Sequence, residues 1–84
     1  MITLLYLARL REAFGRAAEE IELPSNVRDV GSLLAFLRAR GDVWQAELES
    51  GRALRVAVNQ EMAQAGTAVA PGDEVALFPP VTGG

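Results

Sequence analysis

The order of hydrophobic patterns along the 84 residues predicts an α+β domain: a mixed sheet with one main helix packed across it. Three observations carry this. Strand-like segments open and close the chain, at Ile2–Leu10 and Glu74–Phe78. One segment, Val30 to Leu37, shows the 3.6-residue period of an amphipathic helix. That helix follows a pair of strands and precedes the returning ones, so the first and last strands can lie side by side, parallel, in the middle of the sheet.

Ile2 to Leu10 is rich in aliphatic and aromatic residues and reads as a buried strand. Ile2, Leu4 and Tyr6 fall on one face, and Thr3, Leu5, Leu7 and Arg9 on the other. Apolar residues on both faces suggest a central strand, or one face reserved for a partner. Arg11 to Gly15 reads as a loop or short turn with a glycine stop. Ala18 to Leu23 alternates and reads as a second, more exposed strand ending at Pro24, in a hairpin with the first.

A helix boundary falls at Ser25 or Asn26. Val30, Leu33, Leu34 and Leu37 then form the apolar stripe, with Asp29 near the N-terminus and Arg38 and Arg40 near the C-terminus, as the helix dipole favours. Gly41 is a natural stop; Gly31 in the first turn is unfavourable to the helix. Asp42 to Glu49 reads as a short second helix, ended by Ser50-Gly51. Trp44 within it is the sole tryptophan, and core packing suits it better than binding. Leu54 to Val58 is a strand, Asn59-Gln60 a turn, and Glu61 to Ala63 a short strand. Ala70-Pro71-Gly72-Asp73 is a strong turn signal. Glu74 to Phe78 is the last strand, and Pro79-Pro80 ends its ladder. The order is that of the β-grasp, ubiquitin-like arrangement, with a single domain spanning residues 1–84 and a mobile tail from 79 to 84.

Composition narrows the function. The chain has neither cysteine nor histidine, which removes the commonest nucleophile, general base and metal ligands; no metal site is expected. The net charge of −3 argues against nucleic acid as a main partner. No apolar run approaches the ~20 residues that span a bilayer, and the start at Met1 lacks the basic region of a signal peptide. A cytoplasmic protein without membrane contact is the expectation. All eight basic residues are arginine, so no side chain here can form an isopeptide bond in a polymer of the chain itself.

The end of the chain carries the chemistry. After Phe78, Pro79 and Pro80 stiffen the backbone, and Val81, Thr82, Gly83 and Gly84 taper to a slim tip that can thread a narrow passage. Fully extended, residues 79–84 reach roughly 20 Å at ~3.3–3.6 Å per residue. The terminal carboxylate of Gly84 is the most distal group, and the rest of the tail presents it.

Residues 71–84, reading Pro-Gly-Asp-Glu-Val-Ala-Leu-Phe-Pro-Pro-Val-Thr-Gly-Gly, resemble the small, MoaD-type subunits of molybdopterin synthase, ubiquitin-like sulfur carriers. Val58-Asn59-Gln60 and Leu10-Arg11-Glu12 with Gly15 are weaker matches, and Leu77 replaces a frequent second aromatic. The resemblance implies that a ubiquitin-activating-type adenylyltransferase uses ATP to adenylate Gly84, and that a sulfur donor displaces AMP to leave a thiocarboxylate, a 1-thioglycine modification. It implies a large subunit, in a heterotetramer, that takes the tail and passes sulfur to a pterin precursor of the molybdenum cofactor. No permanently bound cofactor is implied, and no activity for the chain alone. The resemblance makes Gly84 and Gly83 the reacting end, and Leu7, Met62, Phe78, Pro79, Pro80, Val81 and Thr82 the partner contacts. The alternative for each of Leu7, Met62 and Phe78 is an ordinary core residue, which suits them less well than contact; Arg11 reads as a docking contact or, better, a solvated charge. Carriers for thiamine or cysteine synthesis share the fold and the Gly-Gly end, but the thiamine carriers are shorter and lack Phe-Pro-Pro-Val. A protein modifier joined to lysines is the alternative from another class.

Overall fold

The computed structural model describes residues 1–49 and 53–80. Eight elements are present among them: β1 Ile2–Tyr6, α1 Arg9–Phe14, β2 Ala18–Ile21, α2 Val30–Arg38, α3 Asp42–Glu47, β3 Arg55–Val58, β4 Glu61–Met62 and β5 Glu74–Phe78. The five strands form one sheet in the order β2-β1-β5-β3-β4. The outermost elements of the sequence are the innermost of the sheet: β1 and β5 pair in parallel, Thr3 with Glu74 through Tyr6 with Leu77. The remaining pairings are antiparallel. This is the mixed sheet with one main helix that the patterning implies.

Alternation along β1 and β5 decides where the core sits. Ile2, Leu4 and Tyr6 are buried, as are Val75 and Leu77, and they meet Val30, Leu33 and Leu37 of α2 in a single core. The helix starts at Val30, four or five residues beyond the boundary expected at Ser25 or Asn26. The reason is a capping box: the Asp29 carboxylate accepts from the Ser32 amide at 2.8 Å, and the Ser32 hydroxyl accepts from the Asp29 amide at 3.1 Å. Gly31 has a packing reason. Its N–H donates to the Ala65 carbonyl at 2.9 Å, and a Cβ there would lie 3.3 Å from that oxygen.

Two expectations need correction. The first strand stops at Tyr6 rather than Leu10, and residues 9–14 form a helix rather than a loop. Leu10 and Phe14, one turn apart, are both buried, and Gly15 ends the helix with φ 71°. Thus β1 and β2 pair antiparallel, but a helix joins them instead of a tight turn. Phe14 stacks on Trp44 with ring centroids 3.9 Å apart, and Tyr6 meets both rings edge-on. Trp44 is therefore a packing residue that ties α3 to α1 and β1. The short helix α3 ends at Glu47, and its expected stop at Ser50-Gly51 lies outside the described residues.

Asn59 and Gln60 both have positive φ and link β3 to β4 in a two-residue hairpin turn. Asn59 also locks this turn to the start of β5. Its side-chain amide donates to Asp73 at 3.0 Å, its side-chain oxygen accepts from the Glu74 amide at 3.0 Å, and its backbone N–H donates to the Glu74 carbonyl at 2.7 Å.

Candidate docking face and tail exit

The helices cover one face of the sheet, and the registers define the other. Across all five strands runs one row, Ala18, Leu5, Ala76, Ala57 and Met62, each paired with the next. It is apolar from end to end. Its three alanines are small, so Leu5 and Met62 stand above a shallow trough. One row toward the chain start lie Glu20, Thr3 and Glu74, also paired in that order. One row toward the tail, Phe78 pairs with Arg55. Leu7 follows the Tyr6–Leu77 pair and keeps step with Phe78, its amide donating to the Leu77 carbonyl at 3.1 Å. The open face therefore grades along the strands from acidic, through apolar, to an edge where two large apolar side chains flank the tail exit.

Exposure separates the expected contacts from core residues. Leu7 is 44% and Met62 64% exposed, whereas Leu4 and Leu77, on the core face of the same sheet, are fully buried. Phe78, Pro79 and Pro80 are half-buried. Isolated exposed apolar residues are ordinary on protein surfaces; these share one face with the alanine row. Pro79 follows the last paired residue, and its missing N–H prevents further pairing on that side. Val81, Thr82, Gly83 and Gly84 lie outside the described residues.

Ala18, Ala57 and Ala76 belong to the face although the sequence reading passed over them. Their signal was phase: Ala76 sits two residues before Phe78, and Ala57 opposite it in register. Arg55 adds a cation beside Phe78.

The perturbed titratable groups hold the scaffold rather than the tail exit. Burial, and then its hydrogen bond to Glu19, push the Tyr6 hydroxyl far above its ordinary value. Burial alone would raise Glu19, but hydrogen bonds from Arg40 and Tyr6 outweigh it and hold the carboxyl low. Asp29 is lowered by Ser32, and Asp73 by the Ala70 amide and Asn59. Among the described residues no group of three or more acidic, histidine or cysteine side chains is placed to hold a metal. Nor is any helix among them long and apolar enough to cross a membrane. A cleft of about 360 Å³ lies between α2 and β3, lined among others by Val30, Leu34, Arg38, Leu54, Arg55 and Val56; neither Leu7 nor Phe78 lines it.

Fold and face define a β-grasp domain with an open apolar sheet face beside its C-terminal exit. The chain belongs to the ThiS family, whose pattern matches residues 4–84. It is 40% identical over 84 residues, the full length of both chains, to the molybdopterin synthase sulfur carrier subunit of Escherichia coli (strain K12). Its fold is similar to that of SAMP1 from Haloferax volcanii, with a TM-score of 0.77 and 31% identity over 99% of this chain and 98% of the other. A further similar chain lies in the protein–protein complex of subunits 1 and 2 of the molybdopterin-converting factor from Helicobacter pylori. There the TM-score is 0.67 and the identity 20%, covering 99% and 97% of the two chains, so that likeness is one of fold.

Proposed function

We propose that the chain is the sulfur carrier subunit of a molybdopterin synthase, with the Gly84 carboxylate as the group that carries sulfur. The observation that supports this most is full-length similarity to a carrier subunit of that name, on a chain whose Phe78-Pro79-Pro80 segment leaves the sheet beside an open apolar face.

The chemistry follows from the carboxylate. A carboxylate is a poor electrophile until one oxygen becomes a good leaving group. Attack by a Gly84 oxygen on the α-phosphorus of ATP releases pyrophosphate and leaves a mixed anhydride with AMP. A hydrosulfide-level sulfur then adds to the carbonyl carbon and expels AMP, leaving a thiocarboxylate; where the sulfur arrives as a donor's persulfide, the product is an acyl disulfide, and two thiols reduce its S–S bond to thiocarboxylate and donor thiol, becoming a disulfide themselves. The thiocarboxylate sulfur is anionic, soft and nucleophilic. Held in a partner's active site, it attacks the pterin precursor at a fixed position, so proximity lowers the barrier. The carrier itself need supply no acid or base; the adenylyltransferase and the large subunit bring them. The open face, with Leu7, Met62 and Phe78, takes the large subunit and directs the tail into it. Two carriers and two large subunits make a heterotetramer in the cytoplasm.

Intact-mass measurement after incubation with the adenylyltransferase, ATP and a sulfur source tests this. The expected product has one oxygen of Gly84 replaced by sulfur. A chain lacking Gly84 keeps its fold and its docking but yields no pterin dithiolene; product formation by the truncated chain refutes the reading. Similarity to small archaeal modifier protein 1 of Haloferax volcanii favours a second reading, a modifier joined through Gly84 to lysine amines of other proteins. A lysine adduct in place of a pterin product is its signature.

A further inference from the structure

The turn between β3 and β4 is tied down from outside its own hairpin. Strand β4 is two residues long, lies at the edge of the sheet and, among the described residues, pairs with β3 alone: Glu61 with Val58 and Met62 with Ala57. A strand so short depends on the turn that delivers it. Both central residues of that turn have positive φ, 51° at Asn59 and 70° at Gln60, and neither is glycine. Asparagine tolerates this region better than most side chains. The ladder between β3 and β5 ends at the pair Val58–Val75, so the next rung would join Asn59 to Glu74. Half of that rung is backbone, the Asn59 N–H donating to the Glu74 carbonyl at 2.7 Å. The side chain supplies the other half: Asn59 Oδ1 accepts from the Glu74 N–H at 3.0 Å, standing in for a backbone carbonyl. Asn59 Nδ2 donates to Asp73 Oδ1 at 3.0 Å, and Asp73 Oδ2 accepts from the Ala70 amide at 2.9 Å. Two of these three bonds from the turn to the β5 region belong to one side chain and vanish with it.

We propose that Asn59 is a positioning residue for the docking face: its side chain pins the β3–β4 turn to β5 and so holds Met62 at the end of the alanine row. Met62 lies three residues beyond Asn59, is 64% exposed, and has Ala57 as its paired neighbour. When the turn comes away from β5, the Val58–Glu61 pair beside it opens first, and the Ala57–Met62 pair is next. A glycine at position 59 still reaches the positive φ and keeps the backbone bond to Glu74. The side chain's part is therefore separable from the turn's conformation. The assignment rests on the reading that the open face receives the large subunit.

Calorimetric titration of the full chain with the large subunit, well below the melting temperature, tests it. Asn59→Gly stays folded and docks about threefold to tenfold more weakly, the range for a side chain that must be ordered on binding. In a Met62→Ala background the same change has no further effect, because the residue it positions is gone; a loss of scaffold stability alone does not depend on Met62. Asn59→Asp sets two carboxylates against each other and also docks weakly. Adding Asp73→Asn exchanges donor and acceptor across the same contact and restores docking. Undiminished docking by Asn59→Gly overturns the assignment, as does an equal loss with Met62→Ala already in place, or a swapped pair that fails to recover. If neither Met62→Ala nor Phe78→Ala weakens docking, the open face is not the docking surface and both readings fall. If Phe78→Ala weakens docking while Met62→Ala or Asn59→Gly does not, only the role of Asn59 falls.

Discussion

The buried hydroxyl of Tyr6 donates to the Glu19 carboxylate, joining the end of β1 to the edge strand β2 through side chains as well as through the ladder. Arg40, just past α2, grips the same carboxylate with both guanidinium nitrogens, at 2.8 and 3.3 Å, while its own carbon lies 4.5 Å from the Trp44 ring centre. One carboxylate thus links β1, β2 and the region between α2 and α3. Tyr6→Phe removes the hydroxyl and leaves Glu19 short of a donor; it lowers stability by about 2 kcal/mol in urea denaturation, the range for a hydrogen bond to a charged group. Docking is unchanged, since Tyr6 faces the core.

Glu19 sets an acid limit. Its carboxyl is held below its ordinary value of 4.5 in the folded chain. Its contribution is therefore complete above that pH, and disappears as the pH falls through the lower folded value. Urea midpoints recorded downward from pH 5 fall for the natural chain and fall less steeply for Glu19→Gln. The residual slope belongs to Asp29 and Asp73, both lowered by the hydrogen bonds they accept.

Tyr6 sets an alkaline limit. It is the sole tyrosine, so the tyrosinate ultraviolet band reports on it alone. Its folded value is raised above the ordinary 10.0, and the stability this represents is present below pH 10 and is lost as the pH climbs. The tyrosinate band should rise together with the unfolding signal rather than before it. A band appearing in the folded chain near pH 10 contradicts the buried hydrogen bond.

The capping box is testable separately from the docking face. Asp29→Ala deletes the acceptor for the Ser32 amide and costs about 1 kcal/mol, the usual worth of an N-cap. Thermal melting followed by circular dichroism measures it. Binding to the large subunit stays as before, because α2 lies across the sheet from Leu7 and Met62.

On the open face the signs reverse. Leu7→Glu and Met62→Glu leave the melting temperature within the error of the natural chain, because both side chains are largely exposed. Each weakens docking by about 2 kcal/mol, roughly thirtyfold, as expected for an interface anchor replaced by a buried charge. Calorimetric titration with the large subunit reads the effect directly.

The sheet was legible in the chain because alternation at Ile2, Leu4 and Tyr6 and at Val75 and Leu77 leaves one sensible burial. The parallel pairing followed from where those segments sit in the order. Helix α1 was not legible as such: it spans six residues, too short for a full stripe, and only the Leu10–Phe14 spacing with Gly15 marked it. The start of α2 was misplaced because Ser25 and Asn26 resemble caps, while the reciprocal Asp29–Ser32 bonds that decide the matter need three-dimensional geometry. The contacts Leu7, Met62 and Phe78 on the open face were named through family resemblance. The alanine row that joins it was hidden because alanine signals neither core nor surface. Nothing in the letters marks Ala8 as a residue of positive φ, 53°; only the structure does.

Because β5 lies between β1 and β3, bonded on both sides, any pull a partner exerts on the tail acts along a strand gripped from both flanks. The load is shared by two rows of hydrogen bonds in shear, instead of peeling them open one at a time. The domain is thus mechanically suited to have its end drawn into a narrow channel, and tension on residues beyond Pro80 should move the whole body toward the partner before it unravels the sheet.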